Sequence, residues 1–130
     1  MSDPALAARY RAYLRVLDER RFDELAEFVH DELDYNDEPM TRQRYSGMIA
    51  GDVAAAPDLL YRVGTLVVDE DQVACRLLFD CTPVATFLGL APTGARVVFS
   101  EHAFYRFRDG RIAAVRSLID RAAVERQLAG

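Results

Sequence analysis

The spacing of apolar residues changes near the middle of the chain, from a helical period to strand-like runs. Residues 4–20 place apolar side chains three and four positions apart, which predicts an amphipathic helix. Residues 20–29, RRFDELAEFV, repeat this spacing and predict a shorter second helix. After an extended piece and a turn, Thr41 is placed to cap a third helix that carries Tyr45, Met48, Ile49 and Val53.

The second half of the chain predicts two hairpins. Residues 59–68, LLYRVGTLVV, and residues 72–81, QVACRLLFDC, flank an acidic turn. A connection rich in Pro and Gly follows at 82–95, with one helical turn expected at 84–89. Asp109-Gly110 then joins residues 96–108 to residues 111–119, and a short last helix is expected at 121–128. The order indicates an α+β domain, with N-terminal helices packed on a strongly curved antiparallel sheet above a pocket.

Length, composition and charge narrow the class of protein. The 130 residues predict one domain, 1–130, and 51% hydrophobic with 28% charged residues is typical of soluble globular proteins. No apolar run reaches the roughly 20 residues of a membrane helix, and no signal peptide is recognisable, so a cytoplasmic location is expected. A net charge of −5 argues against binding nucleic acid. All 16 basic residues are arginines, which excludes a Schiff-base lysine.

Cysteine and histidine usage predicts neither a disulfide nor a metal site. Cys75 and Cys81 lie six positions apart on one expected strand, about 20 Å, so free buried thiols are expected. His30 and His102 are the chain's two histidines, and no ligand spacing links them. The sequence therefore predicts no metal site.

The Asp109-Gly110 turn, taken as a two-residue loop, fixes which charges share a face of the second hairpin. Glu101 then lies opposite Leu118, with Arg116 and Asp120 as its diagonal neighbours. Buried charges must be paired or altered in pKa, so this trio predicts an acid–base site in an apolar pocket. A β-bulge in the hairpin would exchange the faces beyond it.

Each of these polar residues also has a purely structural interpretation. Asp120 directly precedes the last helix and could cap its N-terminus. Glu101 and Arg116 could form an ordinary cross-strand ion pair on the surface. His102 falls on the opposite face with Phe104, where it is interpreted as a packing or interface histidine.

Motifs in the second half resemble those of a known family. The run FLGLAPTGARVVFSEHAFYRFRDGRI, followed by SLID and QL, is similar to the SnoaL-like polyketide cyclase (ester cyclase) branch of the NTF2-like superfamily. The resemblance implies a cone-shaped α+β barrel with a deep apolar pocket, assembled as a homodimer or larger homo-oligomer through the outer sheet face. It also implies cofactor-free acid–base chemistry, an aldol-type cyclisation or isomerisation of a hydrophobic, polyketide-like carbonyl compound.

Residue roles follow from the register and the resemblance together. Asp120 is expected to be the acid/base, with Glu101 and Arg116 as its electrostatic partners and Tyr105 as an oxyanion donor. The expected substrate pocket contains Phe87, Phe99, Phe107, Leu118, Tyr35 and Tyr45. Two alternatives stay open: a water-activating hydrolase of the epoxide-hydrolase kind, and a non-catalytic protein that binds a hydrophobic ligand.

Overall fold

A six-stranded sheet flanked by helices makes up residues 4–129, the part of the chain that this computed structural model describes. The helices are α1 (Pro4–Asp18), a 3₁₀ helix (Phe22–Glu27), α2 (Arg42–Ala55) and α3 (Arg121–Leu128). The strands are β1 (Val29–Tyr35), β2 (Glu38–Thr41), β3 (Arg62–Asp69), β4 (Gln72–Cys81), β5 (Val97–Arg108) and β6 (Arg111–Ile119). In the sheet the strands lie in the order β2-β1-β6-β5-β4-β3. This architecture confirms the predicted α+β class.

The helical half follows the apolar spacing of the sequence. The buried face of α1 carries Tyr10, Tyr13, Leu14, Val16 and Leu17. Thr41 caps α2 as predicted, since its hydroxyl accepts the backbone N–H of Arg44 at 3.1 Å. The second predicted helix forms as a six-residue 3₁₀ helix, a geometry that proteins use in short pieces.

The extended piece after the 3₁₀ helix is a hairpin that adds two strands to the sheet. Asn36 and Asp37 turn the chain with positive φ angles of 49° and 69°, as two-residue hairpin loops require. Strand β1 then runs parallel to β6, with Tyr35 beside Val115. The expectation of a wholly antiparallel sheet is corrected at this one pair, because the short polar segment gave no strand signal of its own.

A tight turn replaces the helical turn predicted at 84–89. Leu88 and Gly89 both have positive φ, 52° and 76°, which a right-handed helix does not allow. Phe87 and Leu90 exchange both backbone hydrogen bonds across them, each N–H donating to the other's carbonyl at 2.9 Å. The connection is therefore a small hairpin-like loop.

The β5–β6 hairpin begins in the predicted register. Asp109 and Gly110 turn with φ angles of 54° and 76°, and Arg108 lies opposite Arg111. The predicted two-residue loop is thus correct.

A β-bulge at Ala113 reverses the predicted faces of β6 beyond that residue. Phe107 pairs with Ile112 but Arg106 pairs with Ala114, so Ala113 is the extra residue on β6. Side chains alternate along a strand, so every later residue of β6 points to the face opposite the predicted one.

The two faces of the sheet differ in chemistry. We call the face toward α1 and α2 the inner face; on β5 it carries Glu101, Ala103, Tyr105 and Phe107. The buried cysteines Cys75 and Cys81 are free thiols, as predicted. The outer face is exposed and carries His102, Phe104, Arg106, Arg116 and Leu118.

Candidate active site

A cavity of about 110 Å³ lies between the first two α-helices and the inner face of the sheet. Its walls combine two carboxylates with five tyrosines, among apolar side chains. The lining residues are Tyr13, Leu17, Tyr35, Tyr45, Met48, Ile49, Asp52, Tyr61, Glu101, Tyr105, Val115 and Ile119.

The two acids reach the cavity from different elements. On α2, Tyr45, Ile49 and Asp52 are spaced i, i+4 and i+7, so they share one helix face. On β5, Glu101 and Tyr105 are four residues apart and share the inner face. Asp52 was not among the predicted site residues. The signal that could have found it is an acidic residue on the apolar stripe of an amphipathic helix.

Glu101 is held by a hydrogen-bonded chain that begins at the β1–β2 turn. The Ser117 hydroxyl donates to Glu101 Oε2. The Ser117 backbone N–H donates to Asn36 Oδ1 at 2.8 Å, and the Asn36 N–H donates to the Val115 carbonyl at 2.9 Å. The turn therefore fixes β6 at the point where it supports the carboxylate.

Burial and mutual repulsion alter the protonation of both acids. Burial raises the pKa of Asp52 from its ordinary value of 3.8 to about 6. The pKa of Glu101 is also raised, mainly by burial. The hydrogen bond from Ser117 opposes this increase, and the negative charge of Asp52 adds to it. A carboxyl group with a pKa near 6 can exchange a proton at neutral pH, as an acid–base catalyst must.

The tyrosines of the cavity remain neutral donors. Burial raises the pKa of Tyr13, Tyr45 and Tyr105 above the ordinary value of 10. The hydroxyls of Tyr13 and Tyr45 hydrogen-bond each other at 2.5 Å. Neutral hydroxyls at the wall of a cavity can donate to an oxygen that gains negative charge.

Two of the four predicted catalytic residues lie outside the cavity, because of the bulge at Ala113. Arg116 is exposed on the outer face, where its Nη2 donates to Asp37 at 2.7 Å. Asp120 is exposed, and its carboxylate accepts the Ala123 backbone N–H at 3.1 Å, capping α3. The predicted shared face of Glu101, Arg116 and Asp120 is wrong. Glu101 and Tyr105 do meet, at the inner wall of the cavity.

The expected pocket residues divide between the cavity, the core and the outer surface. Tyr35 and Tyr45 line the cavity. Leu118 is 77% exposed on the outer face, moved there by the bulge. Phe87, Phe99 and Phe107 are buried in the core, where the Phe87 and Phe99 rings meet edge to face, and none of the three lines the cavity.

Comparison with known proteins identifies the family. The family model for SnoaL-like polyketide cyclases matches residues 7–128. The chain belongs to the SnoaL-like polyketide cyclase family. None of the curated proteins compared with it matches.

Solved structures agree with this assignment. A SnoaL-like polyketide cyclase from Agrobacterium tumefaciens is 43% identical, with a TM-score of 0.89 over 95% of this chain and 97% of that one. IdmH from Streptomyces antibioticus, 21% identical, has a TM-score of 0.85 over 96% of this chain and 99% of that one. TsrD from Streptomyces laurentii, 21% identical, has a TM-score of 0.87 over 98% of each chain. The last two show a shared fold only.

In residues 4–129, no three His, Cys, Asp or Glu side chains cluster as the ligands of a metal ion would. None of the helices in that range is long and apolar enough to cross a membrane.

Replacing Asp52 with Asn is expected to stabilise the protein above pH 6. Asp52 has a raised pKa when folded, so between its ordinary value of 3.8 and about 6 its ionisation favours the unfolded chain and stability falls as pH rises. Asn does not ionise. The thermal midpoint of Asp52→Asn should therefore exceed that of the wild type at pH 7.5, and the difference should shrink at pH 4.

The matched control is Asp34→Asn, an exposed acid on the neighbouring strand β1 whose side chain lies outside the cavity. Scanning calorimetry of both variants at the two pH values measures the effect. An equal gain at pH 4 and pH 7.5 for Asp52→Asn would contradict a cause in ionisation.

Proposed function

We propose that this SnoaL-like protein is an enzyme that performs cofactor-free acid–base chemistry on a small, hydrophobic carbonyl compound. The observation that carries the proposal is the presence of both Asp52 and Glu101 at the wall of one tyrosine-lined cavity. Two carboxyl groups at the wall of one cavity, one of them with a pKa raised by burial to about 6, can serve as base and acid in the same reaction. Membership of the cyclase family supports the same type of chemistry.

In the proposed mechanism, Glu101 is the base and Asp52 the acid. The Glu101 carboxylate takes a proton from the carbon next to the substrate carbonyl. The electron pair of that C–H bond moves toward the carbonyl oxygen, which accepts hydrogen bonds from Tyr45 or Tyr105. For a ring closure, the new carbon–carbon bond forms at a second carbonyl, and Asp52 donates a proton to its oxygen. For an isomerisation, the proton returns to a different carbon.

The size of the cavity limits the substrate. An apolar cavity of about 150 Å³ accommodates benzene, so about 110 Å³ suits a group of roughly five or six non-hydrogen atoms. We therefore propose a small carbonyl compound rather than the polycyclic, polyketide-like substrate that the family name suggests.

Hydrogen exchange tests this proposal without knowledge of the natural product. Small cyclic ketones such as cyclopentanone would be incubated with the protein in D2O, and loss of their α-hydrogens followed by NMR. We expect exchange that is faster than in buffer and saturates with ketone concentration. Exchange equal to that with heat-denatured protein would reject the proposed chemistry for these carbonyl compounds.

A non-catalytic ligand-binding role is the second candidate, favoured by the small volume of the cavity. The hydrogen-exchange experiment also separates these two functions. A ketone that binds to the protein without exchange of its α-hydrogens would favour simple binding. The hydrolase alternative loses its motivating observation, since Arg116 points outward and cannot help to position a water in the cavity.

We also propose a homodimer that forms through the outer sheet face. Phe104 and Leu118 are 56% and 77% exposed on neighbouring strands there, an apolar area that a second subunit would cover. Leu118→Asp is expected to convert the dimer to a monomer, measured by light scattering after size-exclusion chromatography.

Leu60→Asp is the control for this prediction, because Leu60 is an exposed apolar residue outside the strands. It should leave the assembly unchanged. A Leu118→Asp protein of unaltered mass would contradict an interface at this face.

A further inference from the structure

We infer that the cavity binds a small organic cation, an amine or quaternary ammonium group, and rejects anionic compounds. The inference goes beyond the proposed function, since it names a class of ligand and not a reaction, and it rests on that function only for the choice of site. It follows from the charge, the aromatic walls and the volume of the cavity.

The negative charge of the cavity has no positive counterpart among the side chains described at its walls. Its titratable groups are Asp52, Glu101 and the five tyrosines. The chain contains no lysine, and the charge of Arg20 reaches the cavity side chain Tyr61 only from a distance. The Arg20 guanidinium donates instead to the backbone carbonyls of Leu17 at 3.0 Å and Leu59 at 2.6 Å.

Arg116, which the sequence placed beside Glu101, also contributes nothing to the cavity. It lies on the outer face and is paired with Asp37. Ionised Asp52 and Glu101 consequently repel each other with no cation between them, which is unfavourable for partly buried charges. A bound cation would remove this repulsion, whereas a bound carboxylate or phosphate would increase it.

The walls of the cavity also carry aromatic rings, which are groups that attract cations. A positive group is attracted to the face of an aromatic ring within about 6 Å of its centre, and cages of such rings recognise ammonium ions. Here neighbouring rings are inclined to each other rather than stacked. The Tyr35 and Tyr45 rings are 5.9 Å apart at 55°, and the Tyr13 and Tyr105 rings are 6.1 Å apart at 67°.

The volume selects a compact cation. About 110 Å³ is close to the space that a group of five or six non-hydrogen atoms needs, the size of tetramethylammonium. A substrate carried on a phosphate-bearing group is disfavoured here by both size and charge.

The test compares tetramethylammonium with tert-butanol, a neutral molecule of similar size and shape. Isothermal titration calorimetry at pH 7.5 should give at least tenfold tighter binding of the cation to the wild type. Glu101→Gln and Asp52→Asn should each weaken cation binding at least threefold and leave tert-butanol binding unchanged. The outer-face variant Asp34→Asn should bind both molecules as the wild type does.

The affinity for the cation should also rise between pH 5 and pH 7, as Asp52, whose pKa burial raises to about 6, ionises beside Glu101, while that for tert-butanol stays constant. Equal affinities of the wild type for the two molecules, or a cation affinity unaffected by either acid variant, would overturn the inference.

The two proposals can fail separately. Ketone exchange by a protein that does not prefer the cation would overturn only the charge of the ligand. Preference for the cation without exchange of any ketone would support the ligand class and reject the proposed chemistry.

Discussion

Glu101→Gln is expected to slow the exchange of ketone α-hydrogens by about 10²–10⁴-fold, the contribution of a positioned acid–base group. Gln keeps the size of the side chain and an oxygen that can accept the Ser117 hydroxyl, so the wall of the cavity should be preserved. The loss should appear mainly in kcat, because the missing group acts on the reacting C–H bond rather than in binding. NMR exchange rates at several ketone concentrations give both constants.

Two comparisons make this result specific. Asp34→Asn removes one negative charge from the outer face and should retain the wild-type rate. Circular dichroism and the thermal midpoint should show that Glu101→Gln is folded. If a folded Glu101→Gln protein exchanges ketone hydrogens at the wild-type rate, Glu101 is not the base.

The pH profile of exchange provides an independent check. The base must be ionised, and burial together with the charge of Asp52 raises the pKa of Glu101. The rate of the wild type should therefore rise with pH and level off above the raised pKa. In Asp52→Asn the repulsion is absent, so the Glu101 pKa falls and the rise should shift to lower pH.

The success of the sequence predictions depended on how local the determining interactions are. The helical face of α1, the Thr41 cap and the Asp109-Gly110 turn are decided within a few residues, and all three appear as predicted. The parallel contact of β1 with β6 joins segments about eighty residues apart. Nothing in the local sequence of β1 specifies that partner.

Of the predicted catalytic residues, only the two on the strand where parity held line the cavity. Glu101 and Tyr105 precede the turn on β5, so no error of register on β6 could move them to the other face. Arg116 and Asp120 follow the bulge, and one extra residue was enough to exclude both from the cavity. Ala113, the extra residue, is neither Gly nor Pro, and nothing in the Ala113-Ala114 pair indicates a bulge.

Strand register could not predict that Asp52 belongs to the site, because this residue lies on a helix. It comes from α2, and its distance from Glu101 is set by how the helix packs across the sheet. The helix pattern does show an acid on the apolar face with Tyr45 and Ile49. Such an acid must end in a cavity, a buried pair or solvent, and only tertiary structure decides among these.

Inserting one alanine after Ala113 is expected to destabilise the protein by more than about 3 kcal/mol, since with the bulge retained it places Arg116 opposite Ala103, the register that the sequence first suggested. With this extra residue, Arg116 would turn from the outer face into the core side of β6, and Val115, which is buried, would turn outward. A guanidinium turned inward without its partner Asp37 carries a penalty of this size. Urea unfolding followed by circular dichroism measures the loss.

A second variant keeps this prediction testable if the insertion prevents folding. Adding Arg116→Leu to the insertion places an apolar side chain at the inward position, and it should recover a large part of the lost stability. In the wild-type background Arg116→Leu removes only an exposed ion pair and should change stability by less than about 1 kcal/mol. Insertion of one alanine after exposed Ala91 in the 82–95 connection, where no strand register is at stake, should be tolerated. If the two insertions prove equally mild, or if Arg116→Leu fails to rescue, then the extra residue is absorbed by a wider bulge, and the two faces of β6 are maintained by the packing of β1 against it.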